Sequence, residues 1–172
     1  MSKKPLIYNP KVLELFRNPK NAGKMEDATI YATVGSPICG DVIVMYLKIN
    51  EEKGVIEKAT FESYGCVANI ASASMTTEMA KGKKLEEAWK LSWKDVADKL
   101  GGLPPIKYHC SMLAVGALKR AIRAYYEKIG RNPSWLSGKL TVEEKHALEV
   151  EELAKSLAEK IKGTSNEQGE RS

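Results

Sequence analysis

Three segments typical of β-strands follow one another early in the chain, and this order limits the fold more than any other feature. Residues 28–34, 41–49 and 55–64 are rich in valine, isoleucine, tyrosine and threonine, which suit a pleated, half-buried surface. Short glycine-bearing loops separate them, and strands joined in this way pair antiparallel, because a parallel pair needs a long crossover. The sequence therefore predicts a three-stranded antiparallel sheet.

Helical patterns surround these strands, so the predicted fold class is α+β, a three-stranded antiparallel sheet packed with helices. Apolar residues recur at helical intervals both before and after the strands. Pro104 and Pro105 predict an extended segment over residues 103–107, because consecutive prolines disfavour helix. Helices are predicted over residues 11–17, 66–80, 85–91, 92–100 and 110–129.

The chain divides into a domain and an extension. Residues 1–129 are predicted to form one domain, and residues 130–162 a linker followed by an extra C-terminal amphipathic helix. Thr141 and Glu144 have the spacing of a capping box at the start of that helix. Residues 163–172 are polar and contain little to bury, which predicts a disordered tail.

Composition argues against several classes of protein. No stretch approaches the roughly 18 apolar residues of a membrane span, and the N-terminus lacks the apolar core of a secretory signal, so we expect a cytoplasmic protein without a membrane partner. The net charge of +5 comes from lysines mixed among glutamates, with only 7% aromatic residues. Nucleic-acid binding normally needs a concentrated basic face, so a nucleic-acid or partner-binding module is the weakest hypothesis.

Cys39, Cys66 and Cys110 are the candidate functional residues. They are 27 and 44 positions apart, which matches no close-spaced zinc or redox motif, and three thiols cannot all pair with one another. Each lies where a predicted element begins or ends, so one end of the domain can bring them together. Cys66 and Cys110 precede or open helices, whose N-termini stabilise thiolates.

Polar neighbours complete a candidate metal site. Asp41 lies two residues after Cys39, and Lys107 and His109 precede Cys110. Thiolates with imidazole and carboxylate suit iron-sulfur chemistry or zinc. The fourth ligand is either Asp41 or His109, and such a ligand exchanges with an incoming thiolate more readily than a fourth cysteine would.

Three sequence strings resemble the iron-sulfur cluster assembly scaffold family, comprising IscU and the N-terminal domain of NifU. They are PICGD at residues 37–41, GCVANIASAS at 65–74 and LPPIKYHCSMLA at 103–114, and the resemblance extends over residues 8–128. It implies an α/β fold with a three-stranded antiparallel sheet covered by helices. It also implies that the protein is a scaffold or carrier and not an enzyme, and that a labile [2Fe-2S] cluster is assembled on it and transferred to acceptor apo-proteins.

The resemblance also implies roles for particular residues. Cys39, Cys66 and Cys110 correspond to the cluster ligands, Asp41 influences iron entry and cluster lability, and His109 is the alternative fourth ligand, with Lys107 assisting. Cys110 corresponds to the acceptor of sulfur from a pyridoxal-phosphate cysteine desulfurase. An Hsp70-type chaperone is implied to grip one segment, which consists of Leu103, Pro104, Pro105, Ile106 and Lys107.

The chain also departs from the family pattern. Val115 and Gly116 replace the usual acidic pair after the third motif, and the short family members have no counterpart to the extension after residue 130. That extension can pack on the domain, join a homodimer or dock a partner. The alternative function is a zinc-bound persulfide carrier, or sulfurtransferase, with zinc also an alternative occupant of the cluster-free site. The presence of His109 favours the scaffold.

Overall fold

The computed structural model describes residues 8–36, 40–136 and 138–169. Its sheet contains β1 (Ile30–Ser36), β2 (Asp41–Asn50) and β3 (Val55–Tyr64) in the order β1-β2-β3. Both neighbouring pairs are antiparallel, which confirms the predicted fold class. Ser36 pairs with Asp41, so β1 ends and β2 begins at the same edge of the sheet.

One face of the sheet is covered by helices, and the other is partly open to solvent. On β2, Ile43, Met45 and Leu47 are fully buried on the covered face, whereas Tyr31 and Tyr64 on the outer strands are largely exposed. This alternation follows from the two-residue period of a strand, which places successive side chains on opposite faces. The helices are α1 (Pro10–Arg17), α2 (Val67–Ala80), α3 (Leu85–Trp89), α4 (Trp93–Lys99), α5 (Tyr108–Ile129) and α6 (Val142–Gly169).

Helices α2 and α5 form the layer next to the sheet. α5 lies against β1 and β2, and α2 against β3 and α5. α2 contains mainly small residues, and Ala68, Ala71 and Ala73 are fully buried, which lets this helix approach its neighbours closely. α4 begins with a complete capping box, because Ser92 and Asp95 bond each other's backbone N–H groups.

The proline segment differs from its prediction. Residues up to Pro104 are extended, but Pro105–Lys107 form a 3-10 turn, in which the N–H of Lys107 donates to the carbonyl of Pro104 over 2.8 Å. The prediction of an extended segment through residue 107 was therefore wrong. Proline is compatible with the first turn of a helix, where its fixed φ fits and its missing N–H is not needed. α5 accordingly begins at Tyr108, which makes Cys110 its third residue.

The C-terminal helix packs against the domain along α5 and β1. Ala147 of α6 and Leu136 of the connection are buried in the main core. Two ion pairs between nearly buried side chains join the helices, Lys119 to Glu143 at 3.2 Å and Arg123 to Glu144 at 3.1 Å.

The start of α6 uses one half of the predicted capping box. The N–H of Glu144 donates to Oγ1 of Thr141 over 3.3 Å, while the Glu144 carboxylate pairs with Arg123 instead of returning to Thr141. The predicted tail, residues 163–172, overlaps the end of α6 at Gly169, and its disorder stays a prediction. Within the described residues, no helix combines the length and apolar character needed to cross a bilayer.

At Gly116, α5 and α6 approach each other closely. A Cβ atom at this position would lie 2.6 Å from the carbonyl oxygen of Glu143 and 3.4 Å from Cβ of Ala147. The first distance is too short for a carbon-oxygen contact, and a backbone atom cannot move aside alone. The glycine at this position therefore allows the extension to pack here.

We expect Gly116→Ala to lower the free energy of unfolding by about 1–3 kcal/mol, the usual cost of overpacking. Urea unfolding followed by circular dichroism measures this change. The matched control is Gly163→Ala in α6, where an added Cβ meets nothing within 4 Å, and we expect it to stabilise the helix by about 0.5–1 kcal/mol. Equal stability of Gly116→Ala and the unchanged chain would contradict the close approach.

Candidate metal centre

The candidate residues meet at the edge of the sheet where β2 begins and where α2 and α5 have their N-termini. Asp41 is the first residue of β2, Cys66 is the N-cap of α2, and His109 and Cys110 lie in the first turn of α5. The side chains of Asp41 and His109 are 20% and 38% exposed, so the site opens to solvent on their side. Cys110 is fully buried.

Four potential ligands form a continuous series of short contacts. The sulfur atoms of Cys66 and Cys110 lie 3.5 Å apart, and Nε2 of His109 lies 3.4 Å from the Cys110 sulfur. The same Nε2 is 3.5 Å from Oδ2 of Asp41. The ligand atoms of Asp41, His109 and Cys110 all lie within 4.8 Å of one another. Small side-chain movements can therefore bring sulfur, nitrogen and oxygen donors around one metal ion.

Cys39 lies outside the described residues, so its assignment as a ligand stays a prediction. Ser36 and Asp41 lie on either side of the stretch that contains Cys39. They pair with each other at the edge of the sheet where the site lies. Lys107 was also predicted at the site. The charge of the nearby Cys66 is the main cause that raises the pKa of Lys107.

The two described thiols have opposite tendencies to ionise. A hydrogen bond from Cys110 lowers the pKa of Cys66 to about 6, helped by the backbone N–H of Asn69 and the charge of Lys107 and opposed by burial and Asp41. The same hydrogen bond, with burial and the Cys66 charge, raises the pKa of Cys110. At neutral pH the pair therefore holds a Cys66 thiolate and a Cys110 thiol.

His109 is oriented by the proline turn. Its Nδ1 lies 3.1 Å from the carbonyl oxygen of Ile106, an acceptor that requires the proton on Nδ1. The lone pair of the neutral ring is then on Nε2, which faces Cys110 and Asp41. Metal-binding histidines are commonly oriented by such a bond from their second nitrogen.

Gly65 gives Asp41 its position. A Cβ at residue 65 would lie 2.5 Å from Oδ1 of Asp41 and 2.6 Å from Nδ2 of Asn69. Asn69 is fully buried and donates to Oγ of Ser63 over 2.9 Å, so it has little room to move. The absence of a side chain at Gly65 therefore lets the carboxylate lie beside the cysteines.

Tyr8 borders the site and is the first of two residues there that sequence reasoning did not predict. Burial is the main cause that raises the pKa of Tyr8, and the charges of Cys66, Cys110 and Lys107 also act on it. Its neighbour Asn9 caps α1 and holds this segment in place by donating to the carbonyls of Leu100 and Gly102, over 2.8 and 2.9 Å. Tyr8 lies within the residues that resemble the family, and this resemblance was the one feature of the sequence that could have placed it at the site.

His146 of α6 is the second residue that sequence reasoning did not place at the site. Its ring centroid lies 6.3 Å from that of His109. Burial lowers the pKa of His146, and the nearby His109 acts in the same direction, so the ring is neutral at neutral pH. The rarity of histidine was the only signal, since the chain has two.

The thiol pair predicts a distinct pH dependence of alkylation. We expect the rate of iodoacetamide reaction at Cys66 to rise with a midpoint near pH 6, because its folded pKa is about 6 and the thiolate is the reactive form. In Cys110→Ala the thiol donor is gone, so the midpoint should move up toward the ordinary value of about 8.5. Peptide mass mapping across pH measures both.

The matched control for this experiment is Ser111→Ala. Its hydroxyl lies on the same helical turn but donates to the carbonyl of Tyr108 over 2.9 Å, not to a sulfur. That variant should keep the Cys66 midpoint of the unchanged chain. An unchanged midpoint in Cys110→Ala would contradict the hydrogen bond between the sulfurs.

The close contact at Gly65 predicts a second effect. We expect Gly65→Ala to displace the Asp41 carboxylate and to weaken Zn²⁺ binding about 10-fold, a cost typical of disturbed metal surroundings. Competition with a chromophoric chelator under anaerobic conditions measures the affinity. In an Asp41→Ala background the same substitution should change little; a full additional loss there would show that the effect does not pass through Asp41.

The sequence of the chain is similar to those of known proteins. Residues 7–132 match the family described as NifU-like N terminal domain. The chain is 50% identical over 125 residues to "Iron-sulfur cluster assembly scaffold protein IscU 1" of Archaeoglobus fulgidus, covering 73% of this chain and 80% of that protein. It is 44% identical over 126 residues to the IscU scaffold protein of Escherichia coli K12, covering 72% and 97%.

Solved structures share the fold. A putative iron-sulfur cluster assembly scaffold protein for the SUF system from Fervidobacterium islandicum aligns with a TM-score of 0.56 at 23% identity, covering 67% of this chain and 96% of that one. The N-terminal part of a NifU-like protein from Brucella abortus aligns with a TM-score of 0.56 at 24% identity, covering 71% and 96%. By its sequence and its fold, this chain belongs to the NifU-like N-terminal domain family, which includes the IscU scaffold proteins.

Proposed function

We propose that this protein is a scaffold on which a [2Fe-2S] cluster is assembled from iron and sulfur and then transferred to acceptor apo-proteins. The observation that carries the proposal is the contact of the Cys66 and Cys110 sulfurs at 3.5 Å, next to the ligand atoms of His109 and Asp41. Thiolates bind iron in such clusters, and imidazole replaces thiolate in some of them.

The arrangement fits temporary binding. Cys66 can bind iron directly because it is already a thiolate. Cys110 is a thiol, so it releases its proton when it binds the metal. With Cys39 as the proposed third sulfur ligand, Asp41 or His109 supplies the remaining position. Both are partly exposed, so the thiolate of an acceptor protein can reach and replace them. This is the physical basis for release of the cluster.

Sulfur arrival requires a change at Cys110, if this residue is the acceptor of sulfur from a cysteine desulfurase. Its side chain is fully buried and its pKa is raised, so neither access nor ionisation favours attack on an incoming persulfide. The partly exposed Cys66 thiolate is the better nucleophile in this conformation. Acceptance by Cys110 would therefore need opening of the first turn of α5, while acceptance by Cys66 would not.

The proposal includes partners and a location. It assigns the protein a binding role and not an enzymatic one, with a cysteine desulfurase as sulfur source, in a reducing cytoplasm where free thiols persist. A chaperone of the Hsp70 type is proposed to bind residues 103–107, where Ile106 is 79% exposed but Leu103 is buried. A homodimer that shares one cluster is the alternative to assembly within one chain.

Anaerobic reconstitution with Fe²⁺, cysteine, a cysteine desulfurase and dithiothreitol, the reductant that converts persulfide sulfur to sulfide, tests the proposal. We expect the visible charge-transfer absorption of a [2Fe-2S] cluster, equal amounts of iron and sulfide by analysis, and loss of the absorption in Cys66→Ser and in Cys110→Ser. Ser111→Ala, which keeps all proposed ligands, should assemble the cluster normally. The absorption should then pass to an apo-ferredoxin.

The same experiment identifies the competing functions. A colourless protein that retains one zinc ion and carries persulfide would contradict the scaffold and indicate a zinc-bound sulfur carrier. Zinc binds the same combination of sulfur, nitrogen and oxygen ligands, so its presence in the cluster-free protein alone would not decide between them. Cluster formation without transfer would contradict the carrier part of the proposal.

A further inference from the structure

The C-terminal helix brings a second imidazole to the edge of the proposed scaffold site. The rings of His109 and His146 have centroids 6.3 Å apart and planes inclined by 49°. His109 belongs to the first turn of α5, whereas His146 belongs to α6, beyond residue 132 where the family match ends. The contact between the two rings is therefore formed by the extension of this chain.

His146 has a buried nitrogen that the protein does not satisfy. Among the described residues, its Nε2 has no hydrogen-bond partner and almost no solvent exposure. Burying a polar atom in this way costs about 1–3 kcal/mol, and such an atom in a folded protein often marks a site for water or an ion. His109, by comparison, uses Nδ1 to bond Ile106 and directs Nε2 toward the site.

The distance between the rings suits a shared metal ion. An imidazole nitrogen lies about 2.1 Å from bound zinc, so two rings that share one ion have centroids roughly 5–6 Å apart. The observed 6.3 Å is longer, and His146 is not in the group of described residues whose ligand atoms lie within 4.8 Å of one another, so binding requires one or both rings to rotate toward a shared ion. Imidazole is a good ligand for zinc and for iron.

The backbone of α6 is held firmly enough to keep this ligand in place. Glu143 pairs with the buried Lys119 and also accepts from the backbone N–H of Trp93 over 3.1 Å. Ala147 is buried in the core beside Gly116. His146 lies between these two anchored residues, so its presence next to His109 follows from the packing of α6.

We propose that His146 is an additional ligand for the metal ion bound at this site, entering beside His109. The inference rests on the proposed function, because the ion is the cargo of the scaffold. The bond that forms joins Nε2 of His146 to the ion, and the bond that breaks joins the ion to a coordinated water molecule. Nothing is oxidised or reduced, and no proton is transferred.

This ligand gives the extension a part in cargo handling. A neutral imidazole can hold iron before all the thiolates and sulfide are in place, and it leaves more readily than a thiolate when they arrive. The number of protein ligands on the ion can thus change during assembly. Scaffold domains that lack the extension would have only His109 for this purpose.

Metal titration of the cluster-free protein tests the inference without any cluster chemistry. The full-length chain, labelled with ¹⁵N-histidine and kept anaerobic, is titrated with Zn²⁺ while long-range proton-nitrogen spectra are recorded. We expect a ring nitrogen of His146 to shift together with Nε2 of His109, and to saturate at the same Zn²⁺ concentration. This measurement needs no substitution, so it does not depend on a variant that folds.

Chelator competition with variants gives a second readout. We expect His146→Gln to lose about 10- to 100-fold in Zn²⁺ affinity, a range typical of altered metal surroundings. The control is Lys145→Gln, an exposed neighbour on α6 that should bind Zn²⁺ like the unchanged chain. Circular dichroism should show the same helix content in both variants.

Two results would overturn the inference. His146 nitrogens that do not shift at saturating Zn²⁺ would exclude a bond to the ion, and a His146→Gln variant with unchanged affinity would exclude a contribution to binding. Neither result would affect the scaffold proposal, which depends on reconstitution of the unchanged chain. Failure of that reconstitution with normal Zn²⁺ shifts at His146 would instead contradict the scaffold and leave the metal ligand standing.

Discussion

Two helix N-termini converge at one end of the sheet, and the chemistry of the site depends on this convergence. Cys66 caps α2 and Cys110 lies in the first turn of α5, with their sulfurs in contact. Helix N-termini carry partial positive charge and unpaired N–H groups, so they favour one negative charge between them. The backbone N–H of Asn69 at Cys66 and the deeper burial of Cys110 favour that charge on Cys66. Burial of Cys110 keeps its proton in place until a metal arrives.

The sequence predicted the parts of the fold that depend on local patterns. The strands and most helices follow from periodicity, and the cap that Thr141 forms at the start of α6 follows from its spacing to Glu144. The turn at Pro105 was missed because proline is compatible with both extended chain and a first helical turn. The position of His146 could not be predicted, since it depends on how α6 lies across α5. No local pattern fixes such an arrangement of distant segments.

The C-terminal extension contributes side chains to the core of the domain. Family membership rests on residues 7–132, yet the core of this chain includes Leu136 and Ala147 from beyond that limit. Val115 is buried, and Gly116 lets the carbonyl of Glu143 approach α5. Gly116 is therefore the position on α5 that receives the added helix, whereas Val115 packs with buried residues of α1, α2 and α4.

The exposed turn at Ile106 joins two properties in one residue. Its side chain points largely into solvent, while its carbonyl oxygen orients the ring of His109. A protein that pulls on this side chain also removes the acceptor that fixes the imidazole. The turn therefore couples the surface to the site: displacement of Ile106 by a bound protein would free the ring of His109 without any contact between that protein and the site.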